Sequence, residues 1–207
     1  FWAMAEGIIY DMFDQDKNVV DTGTIAADIV REQGMSSGVA ISMSAVTMVL
    51  RTLRLFLLWS KGADGKWYCR REYYYSGRDK GRQKTNKEFS EDLTAWLVGE
   101  EIRAVILDPA AASFKAQLEK DGYKVKKAKN DVLDGIRFVA TLLLSGSIFI
   151  DQSCENLIKE FASYIWDAKA GERGEDKPVK EHDHALDALR YFCYTIIRRV
   201  NGIKILK

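Results

Sequence analysis

Two places in this sequence carry carboxylates with the surroundings and spacing for metal-assisted chemistry on a phosphodiester. The first is Asp108, which closes the mostly apolar run Ile102–Leu107. Such a run suits a strand buried on both faces, and ligands collect at the C-terminal ends of strands in open α/β sheets. Asp108 would equally serve as a cap for the free N–H groups of a following helix, and the two roles are compatible. The second place is Glu181-His182-Asp183-His184-Ala185-Leu186-Asp187-Ala188-Leu189-Arg190-Tyr191, which also holds both histidines of the chain. Asp183 and Asp187 stand four apart, so a helix sets them on one face with His184 beside Asp187, while Leu186, Leu189 and Phe192 face the packing side. Like charges at that spacing repel, and a divalent cation would neutralise them. The simpler alternative is a solvated helix start, where the helix dipole favours acids.

Phosphodiester hydrolysis has a plain physical requirement: two hard cations about 4 Å apart clamp the attacking water and the leaving oxygen, and carboxylates hold the cations. Mg²⁺ takes oxygen ligands and keeps several waters. A site of this kind draws three or more carboxylates from separate parts of a chain. Asp108 and Asp187 supply two, with Asp183 as a further candidate ligand. Phosphate contact is the expectation for Arg78, Lys80, Arg82 and Lys84 in the loop after Tyr73-Tyr74-Tyr75, although a solvated loop would look the same. Lys120–Lys129 is a second basic stretch with the same two readings. No glycine-rich phosphate loop occurs, so the sequence carries no ATPase site, and no His-Glu-x-x-His spacing supports a zinc protease.

The elements that must position these residues are legible from Leu55 onward. Leu55–Ser60 and Trp67–Tyr75 read as strands joined by a hairpin with Asp64-Gly65 at its centre. Thr85 and Glu88 have capping-box spacing and open a helix to about Val98, ended by Gly99. After the strand ending at Asp108, Pro109 begins a helix over Ala110–Lys120. Tyr123–Ala128 is a strand, Asn130 caps a helix over Asp131–Leu144, and Ser147–Asp151 is a strand. Helices follow over Glu155–Trp166 and from His182 to about Val200, with a charged loop, Ala168–Lys180, between them. An antiparallel pair followed by alternating strands and helices predicts an α/β fold with a mixed sheet flanked by helices.

The 207 residues suffice for one domain, and a hydrophobic content of 47% supplies a core. A net charge of +1 means that any affinity for nucleic acid must come from local patches. Cys69, Cys154 and Cys193 are too widely spaced for a zinc site and read as reduced thiols. Phe138–Ile150 is too short to span a bilayer, so no membrane association is expected. The chain opens on Phe1, which suggests a piece of a longer protein.

As an ordered set, Gly7–Asp14, Trp67–Thr85, Asp108–Phe114, Asn130–Arg137 and Asp183–Tyr191 resemble the C-terminal nuclease domain of large terminase subunits from tailed phages and prophages. The resemblance implies a ribonuclease H-like fold and a DNA endonuclease dependent on Mg²⁺ or Mn²⁺ that cuts concatemeric viral DNA for packaging. It implies a preceding ATPase domain, the only place where ATP would act, with residues 1–20 as the linker to it. Duplex DNA, a small terminase subunit and a portal protein are the implied partners, and the cytoplasm of the bacterial host is the implied location. Asp108 matches the family's second-strand acid and Asp187 its C-terminal helix acid, with Asp183 and His184 as neighbours of that site. Another ribonuclease H-like enzyme, of resolvase or transposase type, is a further reading.

The sequence departs from the family at one place. The first-strand acid belongs to a run resembling Asp-Tyr-Gly-Thr-x-Asn-Pro-Thr, expected just before Phe56, and no such run exists here. Reading the codons of Val46–Arg54 from the third base of each restores it. Met48 followed by Val49 forces a glycine codon. The junctions Val46/Thr47, Thr47/Met48 and Val49/Leu50 permit Asp, Tyr and Thr, and those of Arg51 through Arg54 permit Asn, Pro and Thr. Part of residues 21–54 therefore reads as a frameshifted translation, with local disorder as the expectation and a catalytically impaired domain as the functional alternative.

Overall fold

The hairpin is the best-specified element. Gly65 takes φ +83°, Lys66 N–H donates to Asp64 Oδ1 at 3.1 Å, and the turn joins two ten-residue strands, β2 (Leu53–Gly62) and β3 (Trp67–Ser76). Both are rich in apolar and aromatic residues, which suits a largely buried pleated surface. The computed structural model describes residues 41–50, 53–163 and 183–201. Residues 1–40, with the expected linker, and 164–182, with the charged loop and His182, lie outside the described residues.

Six strands form one mixed sheet in the order β5-β4-β1-β2-β3-β6. β1 (Ile41–Leu50) pairs antiparallel with β2 and parallel with β4 (Val105–Leu107), which pairs parallel with β5 (Val125–Lys127). On the other side β2 pairs antiparallel with β3, and β3 pairs parallel with β6 (Ile148–Ile150). β1 corrects the expectation of disorder over residues 41–50. Residues 41–50 are mostly apolar or β-branched, and Ala45, Val46 and Met48 are buried in a central position. Its polar residues are the irregular part: Ser44 Oγ bonds Ser60 Oγ at 2.9 Å, whereas the fully buried Thr47 Oγ1 meets no hydrogen-bond partner among the described residues.

Helices cover both faces. α1 (Asn86–Trp96) and α2 (Ala112–Lys120) pack with Val46, Met48, Phe56 and Leu58 on one face. The predicted capping box is present at α1: Glu88 N–H donates to Thr85 Oγ1 at 3.2 Å, and Thr85 N–H donates to Glu88 Oε2 at 2.7 Å. On the opposite face lie α3 (Val132–Leu144), α4 (Glu155–Ser163) and α5 (His184–Phe192). α5 runs on through a π-helical segment, Cys193–Ile197, into α6 (Arg198–Asn201). The Phe192 ring stacks on Trp59 at 4.3 Å and meets Trp67 edge-on at 5.1 Å, which beds α5 on the sheet.

Two local readings need correction. Pro109 does not begin a helix; α2 starts at Ala112, because the carboxylate of Asp108 first fixes a turn by accepting Ala110 N–H at 2.8 Å. Asn130 does not cap α3; Asp131 is the capping residue, and the Asn130 amide oxygen accepts from Arg190 Nη2 at 3.3 Å instead.

Candidate active site

The sheet register decides what can meet. Thr47 is level with Ile106 on β4 and Leu57 on β2, and both of these belong to the core under α5. Successive residues alternate faces, so Thr47 and Asp108 face α5, whereas Val46 and Met48 face α1 and α2. Asp108 lies one pleat step beyond Ile106, putting it and Thr47 on the same face of adjacent strands. Asp108 meets α5 at Tyr191, one helical turn after Asp187. The tyrosine hydroxyl donates to Asp108 Oδ2 at 3.4 Å. Burial raises the proton affinity of that phenol, and the negative charges of Asp187 and Asp108 raise it further.

Arg190 holds the Asp187 side of this site. Its guanidinium is buried, donates to Asp187 Oδ1 at 2.6 Å and to the Asp131 carbonyl at 3.2 Å, and lies 4.7 Å from the centre of the Tyr191 ring. The side chain reaches these partners by crossing Gly135. A Cβ built there would stand 2.8 Å from Arg190 Cγ and 3.0 Å from Cδ, so the path requires a residue without one. Planar guanidinium geometry suits a carboxylate, and the backbone carbonyl and side-chain amide keep the donor fork from rotating.

Asp183 and His184 belong to a neighbouring cluster. Asp183 is buried at the start of α5, where its side chain makes no capping bond, and its Oδ1 lies 3.7 Å from His184 Nδ1. The cap comes from Glu160 on α4, whose Oε2 accepts Ala185 N–H at 2.6 Å and Leu186 N–H at 3.1 Å. Glu72 on β3 does the same for α4, accepting Asn156 N–H at 3.1 Å and Leu157 N–H at 2.8 Å. Neither glutamate stands out in the sequence, because each caps a helix remote along the chain.

Burial pushes the Glu160 carboxyl up to about 8; the two N–H donors oppose the shift, and the charges of Asp183 and Glu72 add to it. The folded protein therefore holds this proton more tightly than the unfolded chain between about pH 4.5 and 8, and stability falls as pH rises through that window. The expected slope reaches about 1.4 kcal/mol per pH unit. Urea unfolding of Glu160→Gln should show that slope flattened; an unchanged slope would assign the pH dependence elsewhere.

The basic loop lies over the other face of the sheet. Arg82 pairs with Glu88, Lys84 pairs with Asp92 at 2.5 Å, and Tyr75, whose hydroxyl donates to the Arg82 carbonyl at 2.7 Å, packs on the α1 side. Arg78 and Lys80 are exposed.

The sequence profile of the terminase RNaseH-like domain family matches residues 54–194. The chain belongs to that family. The match begins just past β1, the strand whose sequence departs from the expected motif. The chain is similar to the large terminase of Escherichia phage T5, with 30% identity over 131 residues, covering 61% of this chain and 30% of that protein. It also resembles the large terminase of the thermophilic bacteriophage D6E, solved in complex with ADP. That match has 46% identity and a TM-score of 0.76, and covers 92% of this chain and 45% of that one. The P22 large terminase nuclease domain, at 21% identity and a TM-score of 0.58 over 76% of this chain and 80% of that one, shares the fold. This terminase domain thus has the expected ribonuclease H-like architecture, and it spans less than half the length of the T5 and D6E proteins.

The donor set can be tested against the metal site that such a nuclease needs. Among the described residues, no three histidine, cysteine or acidic side chains are grouped to hold a metal ion. Asp108 reaches Tyr191, one turn after Asp187 on α5, and the adjacent strand offers a hydroxyl that meets no partner among the described residues. The donors among the described residues therefore do not make up the three-carboxylate set of a two-metal site. No helix among the described residues is long and apolar enough to cross a membrane.

Proposed function

We propose that this is the DNA-cutting domain of a phage large terminase whose first-strand carboxylate has been replaced, leaving an impaired nuclease. The observation that carries the reading is the bond from Tyr191 to Asp108, one helical turn after Asp187, with the orphan hydroxyl of Thr47 facing α5 from the adjacent strand. A shifted reading frame would permit the lost Asp across Val46 and Thr47. Facing selects Thr47, because Val46 belongs to the core on the other side of the sheet. With an acid there, three carboxylates from three separate elements would surround one spot, which is the donor set that Mg²⁺ or Mn²⁺ takes. Asp183 and His184 then stand at the start of α5, four and three residues before Asp187, as neighbours of that site.

Concatemeric duplex DNA is the substrate in this reading, inside the bacterial host, with a small terminase subunit and a portal protein as partners of the whole protein. ATP hydrolysis belongs to a further domain of that protein. A resolvase- or transposase-type enzyme is the weaker reading, since the family match favours the terminase. Plasmid relaxation in Mn²⁺ tests the proposal. The parent chain should cut poorly, the chain with the restored Asp-Tyr-Gly-Thr-x-Asn-Pro-Thr run should cut, and Asp108→Ala in that restored chain should remove the cutting. Robust cutting by the parent would refute the missing ligand.

A further inference from the structure

We infer that the phosphate backbone of duplex DNA is gripped by a basic edge made of Lys126, Lys129, Arg198 and Arg199, beside β5, more than by the loop at residues 78–84. The inference rests on the DNA-cutting reading of the site and adds to it where the duplex lies.

Three observations place the edge next to the carboxylates. β4 and β5 are parallel, with Leu107 opposite Lys127, and Ala128 N–H donates to the Leu107 carbonyl at 2.9 Å. The chain therefore leaves β5 alongside Asp108, at the same end of the sheet. Lys129 N–H then donates to Thr195 Oγ1 at 2.9 Å. Thr195 lies about one helical turn past Tyr191, the residue that touches Asp108, a rise of about 6 Å. The Tyr194 ring beside it carries two cations: the Arg198 guanidinium at 4.3 Å and the Lys129 ammonium at 6.0 Å from its centre. An aromatic under two positive groups holds them in place without neutralising their charge.

The cations at this edge are all outside ion pairs among the described residues, whereas in the loop only Arg78 and Lys80 are; one acid borders the edge, Asp134, whose Oδ2 accepts from the Tyr194 hydroxyl at 3.4 Å. Among the described residues, no ion pair engages Lys126, Lys129, Arg198 or Arg199, and Lys129 and Arg199 are exposed. Arg82 and Lys84, in contrast, spend their charge on Glu88 and Asp92. The loop also lies on the α1 face, and the acids lie on the α5 face. A duplex over the edge passes the carboxylates, and its affinity comes from phosphate contacts that read no sequence.

Fluorescence anisotropy with a 30-base-pair duplex in EDTA, where no cutting occurs, reads this directly over a salt series. Lys129→Glu with Arg198→Glu should weaken binding about tenfold or more and lower the log–log salt slope by about 2. Arg78→Glu with Lys80→Glu should change affinity by less than about twofold. Lys129→Gln with Arg199→Gln, both at exposed positions, repeats the test if the first pair disturbs folding, and should also weaken binding. Equal or larger losses from the loop pair would overturn the inference while leaving the DNA-cutting reading intact. A parent that binds no duplex at all would overturn both.

Discussion

Thr47→Asp should raise Mn²⁺-dependent plasmid cleavage by roughly two orders of magnitude over the parent chain. The size follows from what one missing carboxylate does to a charge-stabilising site: a loss of several kcal/mol at the transition state, with each 1.4 kcal/mol worth about tenfold. The register makes Thr47 the position to change. It shares a face with Asp108 on the neighbouring strand, it is fully buried, and its hydroxyl meets no partner among the described residues. An acid at that position without a cation would be a buried charge with no partner among the described residues. The substituted chain should therefore lose a few kcal/mol in EDTA and recover stability as Mn²⁺ is added, since a ligand that binds only the folded state stabilises it by mass action. The parent should show much less response. A substituted chain that neither cuts nor gains stability with Mn²⁺ would mean that β1 does not bring position 47 to the acids.

The second large effect is expected at Arg190. Arg190→Leu should destabilise the domain by about 3–5 kcal/mol, measured by urea unfolding, because it leaves Asp187 largely buried without its cation. Asp187 and Arg190 side chains are only 14% and 5% exposed, which separates this pair from the screened surface pairs that contribute little. Asp187→Asn combined with Arg190→Leu should recover much of the loss, since no bare charge then remains. Gly135→Ala should act on the same device from the other side, at about 1–3 kcal/mol, by driving a methyl group into Arg190 Cγ. Its effect should shrink in the Arg190→Leu background, because the two residues touch. Fully additive losses would separate Gly135 from the Arg190 path.

Local chemistry explains which parts of this fold could be read in advance. The Asp64-Gly65 hairpin, the Thr85/Glu88 capping box and the short apolar strand ending at Asp108 are each determined within a few residues, and each is present. Pro109 and Asn130 misled because a tertiary or turn contact took the group that a helix start would have used: Asp108 turned back onto Ala110, and Asn130 served Arg190. Glu160 and Glu72 were illegible for a related reason. Their partners lie 25 and more residues away, and nothing in the neighbouring sequence marks a glutamate as a remote helix cap.

β1 is the instructive case. Its sequence lacks the motif expected there, yet Ile41–Leu50 still pairs on both sides in the middle of the sheet. Residues of about the right size and polarity suffice to fill a buried strand, whereas chemistry needs one particular side chain at one register position. A frame change of the kind proposed would preserve the strand and remove the site.

The most direct test is anomalous diffraction at the manganese edge, on Mn²⁺-soaked crystals of the parent and of Thr47→Asp. A manganese peak bounded by Asp108, Asp187 and the substituted side chain at position 47, absent from the parent, is the predicted result. A fully occupied manganese site on Asp108 and Asp187 in the parent, or no manganese in the substituted chain, would contradict the account.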